Sequence, residues 1–186
     1  MPASKYSRED VYVSPLKAEH APLLPKFKSK NDGMNEFLQK DALEYQKLDL
    51  GATYLLLDKK GERIISYITM SMGALKIPER KEEFVFRGRR LGEYPKSFPQ
   101  QFPSLLIGKL ATDENEIGKG GAGILLELAA KTALDARKSM GCAFMVTHAL
   151  AQEDVVGWYT HQGFKTHMSK ISGETVPMYL ELNPQI

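Results

Sequence analysis

The chain has 186 residues, 42% of them hydrophobic and 26% charged, with a formal net charge of +2. This length suits one domain carrying a large insertion at most, and the composition is that of a soluble globular protein. One cysteine, Cys142, leaves no internal disulfide and no cysteine-rich metal site, and so small a net charge does not by itself establish a nucleic-acid partner. No apolar run approaches the length of a membrane span, and "MPASKYSRED" (1–10) has charges but no apolar segment, so we expect no membrane partner, no secretory leader and a cytoplasmic location.

In chain order, "VYVSPL" (11–16) predicts a short strand ended by Pro15, and Pro22 and Pro25 limit "AEHAPLLPKF" (18–27) to broken helical turns. In 31–48, Met34, Phe37, Leu38, Ala42 and Tyr45 recur at helical spacing, with Asn31 or Asp32 as the cap. "ATYLLLD" (52–58) and "RIISYITMSMG" (63–73), joined by "KKGE", predict a β-hairpin. The stretch 77–103 is polar and proline-bearing and reads as an insertion. Beyond it come a strong apolar strand "SLLIGKLAT" (104–112), a helix at 122–140, a strand at 143–149, a helix at 152–163, and strands at 164–170 and 176–182. The order predicts a mixed sheet with helices on its faces, within one domain over 1–186.

The turn between the apolar strand and its helix, "IGKGGAGILL" (117–126), is the chemically informative stretch. Each glycine costs conformational entropy, so the cluster needs either positive φ angles or something close to the backbone. The first N–H groups of a helix lack internal partners and carry partial positive charge, so a bare turn leading into a helix can cradle an anion. No Gly-Lys-Ser/Thr triplet is present, which excludes a Walker loop. Gly118, Gly120 and Gly123 satisfy G-x-G-x-x-G, but the next strand does not end on the acidic residue a dinucleotide site requires. On these letters alone a plain flexible turn remains open.

With its strand and helix, the stretch resembles the acyl-CoA-binding core of the GNAT N-acetyltransferase superfamily. That family's pattern, Gln/Arg-x-x-Gly-x-Gly/Ala, falls on residues 117–122, with Gly120 and Ala122 at the small positions. Ile117 departs from it, standing where Gln or Arg holds the loop and phosphates, so the affinity is expected to be weaker or carried elsewhere. The resemblance implies the GNAT fold: an α/β (α+β) chain with a mixed, mostly antiparallel sheet of about six to seven strands flanked by helices. It implies acetyl-CoA as acyl donor, with pantetheine contacts at Leu110, Ala111 and Thr112 and phosphate contacts over Gly118, Lys119, Gly120, Gly121, Ala122 and Gly123. "VVGWYTHQGF" (155–164) resembles the family's tyrosine-bearing helix, which makes Tyr159 the group that protonates the departing thiolate.

The N-terminal half resembles a narrower group. Phe27, Ser29, Met34, Asn35, Phe37, Leu38 and Ala42 fit its spacing Phe-x-Cys/Ser-x4-Leu/Met-Asp/Asn-x-Phe-Leu-x3-Ala, and "IGKLATD" (107–113) is similar to its Leu-Gly-Arg-Leu-Ala-Val-Asp. This group holds bacterial toxin-type enzymes that acetylate the amino group of aminoacyl-tRNA. The resemblance implies transfer of acetyl from the CoA thioester to a primary amine, with the α-amine of aminoacyl-tRNA as one candidate acceptor. Small-molecule or protein amines, and a GNAT-fold module that binds acyl-CoA without turnover, stay open. A homodimer and an antitoxin are the protein partners the resemblance allows.

Such transfer needs a neutral amine, a stabilised oxyanion and a proton for the thiolate. A backbone N–H at 110–112 suits the second role and Tyr159 the third. No dedicated base stands out, since Asp113, Glu114 and Glu116 are loop carboxylates. That favours a low-pKa acceptor: an α-amine near 7.8 is roughly one-third neutral around pH 7.5, against about 0.1% for a lysine. His148 and His161 fall near the expected active end, and the four histidines lack metal-ligand spacing. In 84–102, Phe84, Phe86, Tyr94, Phe98 and Phe102 interleave with Arg87, Arg89, Arg90 and Lys96, a composition suited either to single-stranded RNA or to a solvated insertion over packed rings. Arg87, Arg89 and Arg90 are therefore the candidate substrate contacts.

Overall fold

The computed structural model describes residues 6–7, 9–76, 84–95, 101–167 and 173–183. Seven strands form one sheet in the order β1-β2-β3-β6-β7-β9-β8, and β4 and β5 pair separately. The strands are β1 (Val11–Pro15), β2 (Ala52–Asp58), β3 (Ile64–Lys76), β4 (Val85–Phe86), β5 (Arg89–Arg90), β6 (Gln101–Thr112), β7 (Phe144–Leu150), β8 (Lys165–Thr166) and β9 (Thr175–Glu181). The β1–β2, β2–β3, β7–β9 and β8–β9 ladders are antiparallel. Two long helices follow sheet strands: α3 (Gly121–Met140) after β6 and α4 (Glu153–His161) after β7. The mixed, mostly antiparallel sheet expected from the sequence is thus present.

By contacts the chain forms two compact units, Met1–Ser71 with Ile107–Lys131, and Met72–Leu106 with Thr132–Ile186. In the first unit the helical run predicted for 31–48 consists of α1 (Asp32–Glu36), a π-helical segment (Phe37–Asp41) and α2 (Ala42–Lys47). Asn31 caps it, its side chain accepting the Met34 N–H at 3.0 Å. The π segment adds a residue per turn, a feature propensities do not encode. Phe27, Leu38 and Ala42 are buried in a core with Leu16, Leu55, Leu57 and Tyr67. The apolar motif residues are therefore packing residues: the rings of Phe27 and Phe37 flank Tyr67 at 5.4 and 6.5 Å.

The second unit packs around rings. Phe84, Phe102 and Phe144 are buried together with Leu75, Leu91 and Val146, and Phe86, Tyr94 and Tyr179 pack on them. The described part of the 77–103 stretch is ordered by this cluster. Residues 84–91 make a two-residue hairpin turning on Arg87 and Gly88, both at positive φ (52° and 74°). Such a turn follows the right-handed twist of its strands and is normally signalled by Asn-Gly or Asp-Gly. Lys96 and Phe98 lie outside the described residues.

Candidate active site

Two sets of residues are expected from the sequence to form the site. In the first unit, β6 ends at Thr112, a short 3-10 turn covers Glu114–Glu116, and α3 starts at Gly121. The glycines between divide the work. Gly118 and Gly120 stand at φ of 79° and 89°, which side chains rarely adopt. Gly121 is a packing residue: a Cβ there would meet Ser66 Oγ at 2.6 Å and Ile65 Cγ2 at 3.1 Å. A Cβ at Gly118 or Gly123 would meet no protein atom within 4 Å. Neither position is kept bare by the protein's own packing at that point. Ile124 N–H bonds Gly120 O at 3.3 Å, and earlier N–H groups of the helix have no carbonyl of the same helix to bond. The geometry fits an anion, with backbone donors at a helix start and open space where side chains would stand.

The N-terminal motif holds this turn in shape. Ser29 N–H and Oγ–H donate to Asn35 Oδ1 at 2.7 and 2.9 Å, while Asn35 Nδ2 donates back to Ser29 O at 3.0 Å. From that knot Lys28 N–H reaches Asp113 Oδ2 at 3.1 Å, and Glu114 N–H reaches Lys28 O at 2.8 Å. Asp113 also accepts from Asn115 N–H and Nδ2, and its own N–H donates to Ile65 O. Thr112 Oγ1 lies 2.9 Å from Ser66 Oγ. Of the expected pantetheine strand, Leu110, Ala111 and Thr112 are all partly buried, so each keeps some solvent access.

The three carboxylates weighed as bases have other engagements. Asp113 and Glu116 are buried and Glu114 pairs with Lys28 at 3.3 Å. Glu116, 2% exposed, binds Arg63 Nη1 at 2.5 Å and Lys119 Nζ at 2.9 Å, and accepts the Tyr6 hydroxyl. Burial pushes Glu116 up. The bonds from Tyr6 and Lys119 and the charges of Arg63 and Lys119 outweigh this and hold it below the usual carboxylate range. Burial and the Glu116 contact drive the Tyr6 phenol well above its ordinary value. Lys119, expected as a phosphate contact, bonds Glu116. Arg63 and Tyr6 were not legible as site residues, because 53 and 110 positions separate them from Glu116.

In the second unit, Tyr159 on α4 is 6% exposed, with Trp158 and Phe164 edge-on at 4.9 and 5.3 Å. Burial pushes its phenol up to about 12, and a hydrogen bond with the Thr147 side chain tempers the rise. At neutral pH it carries its proton, as an acid catalyst must. Thr147 also lines a cavity of about 340 Å³, together with Lys76, Leu106, His148 and His167. His148 is exposed on β7 opposite Pro177, and His161 is exposed at the end of α4. Thr147 carried no signal in the sequence, since a strand threonine is ordinary.

The candidate substrate arginines differ among themselves. Arg87 N–H and Nε approach Glu181 Oε1 at 3.1 and 3.6 Å, and its guanidinium lies 5.1 Å from the Phe86 ring. Arg89 and Arg90 are exposed, with Arg89 5.4 Å over Tyr94. Of the rings expected to interleave with them, the described ones pack on the cluster: Phe84 and Phe102 are buried, and the Tyr94 hydroxyl donates to Phe86 O at 2.8 Å. Among the described residues no group of three or more His, Cys, Asp or Glu side chains is gathered as a metal would require. No described helix is long and apolar enough to cross a membrane.

No family model matches the chain. A curated relative, a tRNA-acetylating toxin from Mycobacterium tuberculosis (strain ATCC 25618 / H37Rv), is 23% identical over 154 residues, covering 83% of this chain and 85% of its own. Among solved structures, AtaT complexed with acetyl-methionyl-tRNAfMet aligns with a TM-score of 0.75 at 18% identity, covering 92% of this chain and 95% of AtaT. A tyrosine-to-phenylalanine variant of AtaT, bound to the C-terminus of its antitoxin AtaR and to acetyl-CoA, aligns with a TM-score of 0.70 at 17% identity over 92% of this chain and 93% of its own. The mixed, mostly antiparallel sheet with flanking helices agrees with the fold that the sequence motifs implied: the chain has the fold of the toxin-type GNAT acetyltransferases.

Proposed function

We propose that the protein is an acetyl-CoA-dependent N-acetyltransferase whose acceptor is the α-amine of an aminoacyl-tRNA, acting in the cytoplasm and controlled by an antitoxin. The observation that carries this reading is the turn at 117–123. Its two positive-φ glycines and the open positions at Gly118 and Gly123 leave backbone donors bare at the start of α3. The tRNA-acetylating relative and the two AtaT complexes support the substrate, the donor and the partner.

When bound, acetyl-CoA supplies an activated acetyl group. In this reading the N–H groups over Gly118–Gly123 hold its diphosphate, and the backbone of Leu110–Thr112 aligns its pantetheine arm and offers an N–H to the developing oxyanion. Tyr159 holds a proton at Oη for the leaving sulfur. With its pKa near 12 it stays loaded through neutral pH. An α-amine needs no strong base, and the engagements of Asp113, Glu114 and Glu116 suit a site without one.

The test uses labelled acetyl-CoA with charged tRNA, uncharged tRNA, and a panel of small amines and peptides. Label on charged tRNA alone is expected. Label on small amines or peptides with none on tRNA would replace the reading with a metabolic or protein-modifying enzyme. Tyr159→Phe should lower kcat by about 100-fold or more with little change in KM for acetyl-CoA. The wild-type rate should climb as the acceptor amine deprotonates and hold to about pH 9, because Tyr159 is still protonated there.

A further inference from the structure

The glycine turn lacks a charged side chain at its first position, where Ile117 is 49% exposed. Beside it stands the ion cluster on Glu116. Its carboxylate is 2% exposed, whereas the side chains of Arg63 and Lys119 are 54% and 43% exposed. The acid faces in and the two cations face out. Within the ion pairs one carboxylate meets two permanent cations and the Tyr6 phenol stays neutral; the Asp113 carboxylate, which also acts on Tyr6, is engaged by Lys28 N–H and Asn115. Only Nη1 of Arg63 engages Glu116, and Arg63 is more than half exposed, so most of its donor fork is open to a further partner.

A buried ion pair of this kind adds little net stability, so stability alone is a poor account of it. A positioning role accounts for both its orientation and its pairing of two cations with one acid. Two long cationic side chains, each costly to order, are ordered in advance by one buried carboxylate next to an anion cradle.

We infer that Glu116 is a positioning residue, holding Arg63 and Lys119 as a cationic clamp on the diphosphate of the coenzyme in place of the side chain that Ile117 does not supply. This rests on the reading that the turn binds coenzyme A. Guanidinium and ammonium groups make charge-assisted bonds to phosphate oxygens, and Arg63 can do so in a bidentate manner.

The experiment compares wild type with Glu116→Gln, Arg63→Ala, Lys119→Ala and the charge-keeping Lys119→Arg. Donors are acetyl-CoA, acetyl-dephospho-CoA, which keeps the diphosphate but lacks the 3′-phosphate, and S-acetylpantetheine, which has neither. Glu116→Gln, Arg63→Ala and Lys119→Ala should each raise KM about tenfold for both nucleotide donors, with kcat within about twofold and S-acetylpantetheine unaffected. Lys119→Arg should recover most of the loss, and adding Glu116→Gln to Arg63→Ala should cost less than the two single effects combined.

Unchanged KM in all variants would overturn the clamp. So would an equal loss with S-acetylpantetheine, which would mark a general structural role. A penalty confined to acetyl-CoA would assign the cations to the 3′-phosphate and overturn the diphosphate assignment. Calorimetric binding of coenzyme A to wild type separates the two levels. Binding that the variants leave intact removes the clamp alone, and no binding to wild type removes the coenzyme reading with it.

Discussion

The turn at 117–123 and the described residues of the 84–102 segment are held by opposite means. At the turn the fasteners are polar: the Ser29–Asn35 knot, the Asp113 carboxylate and the Glu116 cluster. In the 84–102 segment they are rings, with Phe86 and Phe102 centroids 4.6 Å apart and Phe84, Phe102 and Phe144 buried as a group. A polar fastener works at fixed spacing, because each donor must find one acceptor in a narrow geometry. A ring cluster accepts many arrangements, because dispersion and burial are non-directional. The short-range Ser29–Asn35 knot therefore leaves a motif in the sequence, and the ring cluster leaves only composition.

Substitution can break the contrast, and the largest effect belongs to the rings. Phe102→Ala should cost about 3–5 kcal/mol, read by chemical denaturation, because it removes a buried ring from the centre of its cluster. Gly121→Ala comes next. Its methyl would press on Ser66 Oγ and should cost about 1–3 kcal/mol. Gly123→Ala, two residues on, sharpens the comparison: the fold has room for it, so stability should hold or rise by about 0.5–1 kcal/mol while coenzyme A binding, read by calorimetry, falls. The smallest effect on stability is expected from Arg89→Glu with Arg90→Glu, within about 0.5 kcal/mol for two exposed residues. If those cations meet tRNA phosphates, the double variant should lose transfer to charged tRNA and keep coenzyme A binding. Retained tRNA transfer would move the tRNA surface elsewhere.

Most of the sheet was legible, because β2, β3, β6 and β7 carry continuous apolar runs and α3 and α4 follow recognisable turns. The turn was legible as a glycine-rich start to a helix, but the reason for its glycines was not uniform. Gly118 and Gly120 serve the backbone path, and Gly121 serves packing on a strand 55 residues earlier in the chain, Ser66. The Arg87–Gly88 hairpin escaped notice because an arginine at positive φ is no turn signal, and Glu181, the partner that holds it, is 94 residues away. The mixture of rings and cations at 84–102 allowed two readings, a solvated insertion over packed rings and an RNA surface. Phe84, Phe86, Tyr94 and Phe102 pack into the ring cluster, and Arg89 and Arg90 keep their exposure. The partners of Glu116 and Tyr159 depend on long-range pairing that spacing along the chain does not reveal.

Ser66 has a consequence beyond its own hydrogen bond. Its Oγ meets Thr112 Oγ1 at 2.9 Å and occupies the space a side chain at Gly121 would need. Three positions widely separated in sequence therefore share one small volume. A change at any one of them alters which residues the other two can accept: once 66 loses its hydroxyl, a methyl at 121 loses its worst clash and Ile65 need give only a few tenths of an ångström, while Thr112 Oγ1 loses the Ser66 hydroxyl as a partner. Descendants of this chain should inherit or exchange these three residues as a set, and libraries that vary 66, 112 and 121 together should recover folded combinations that single-site scans reject.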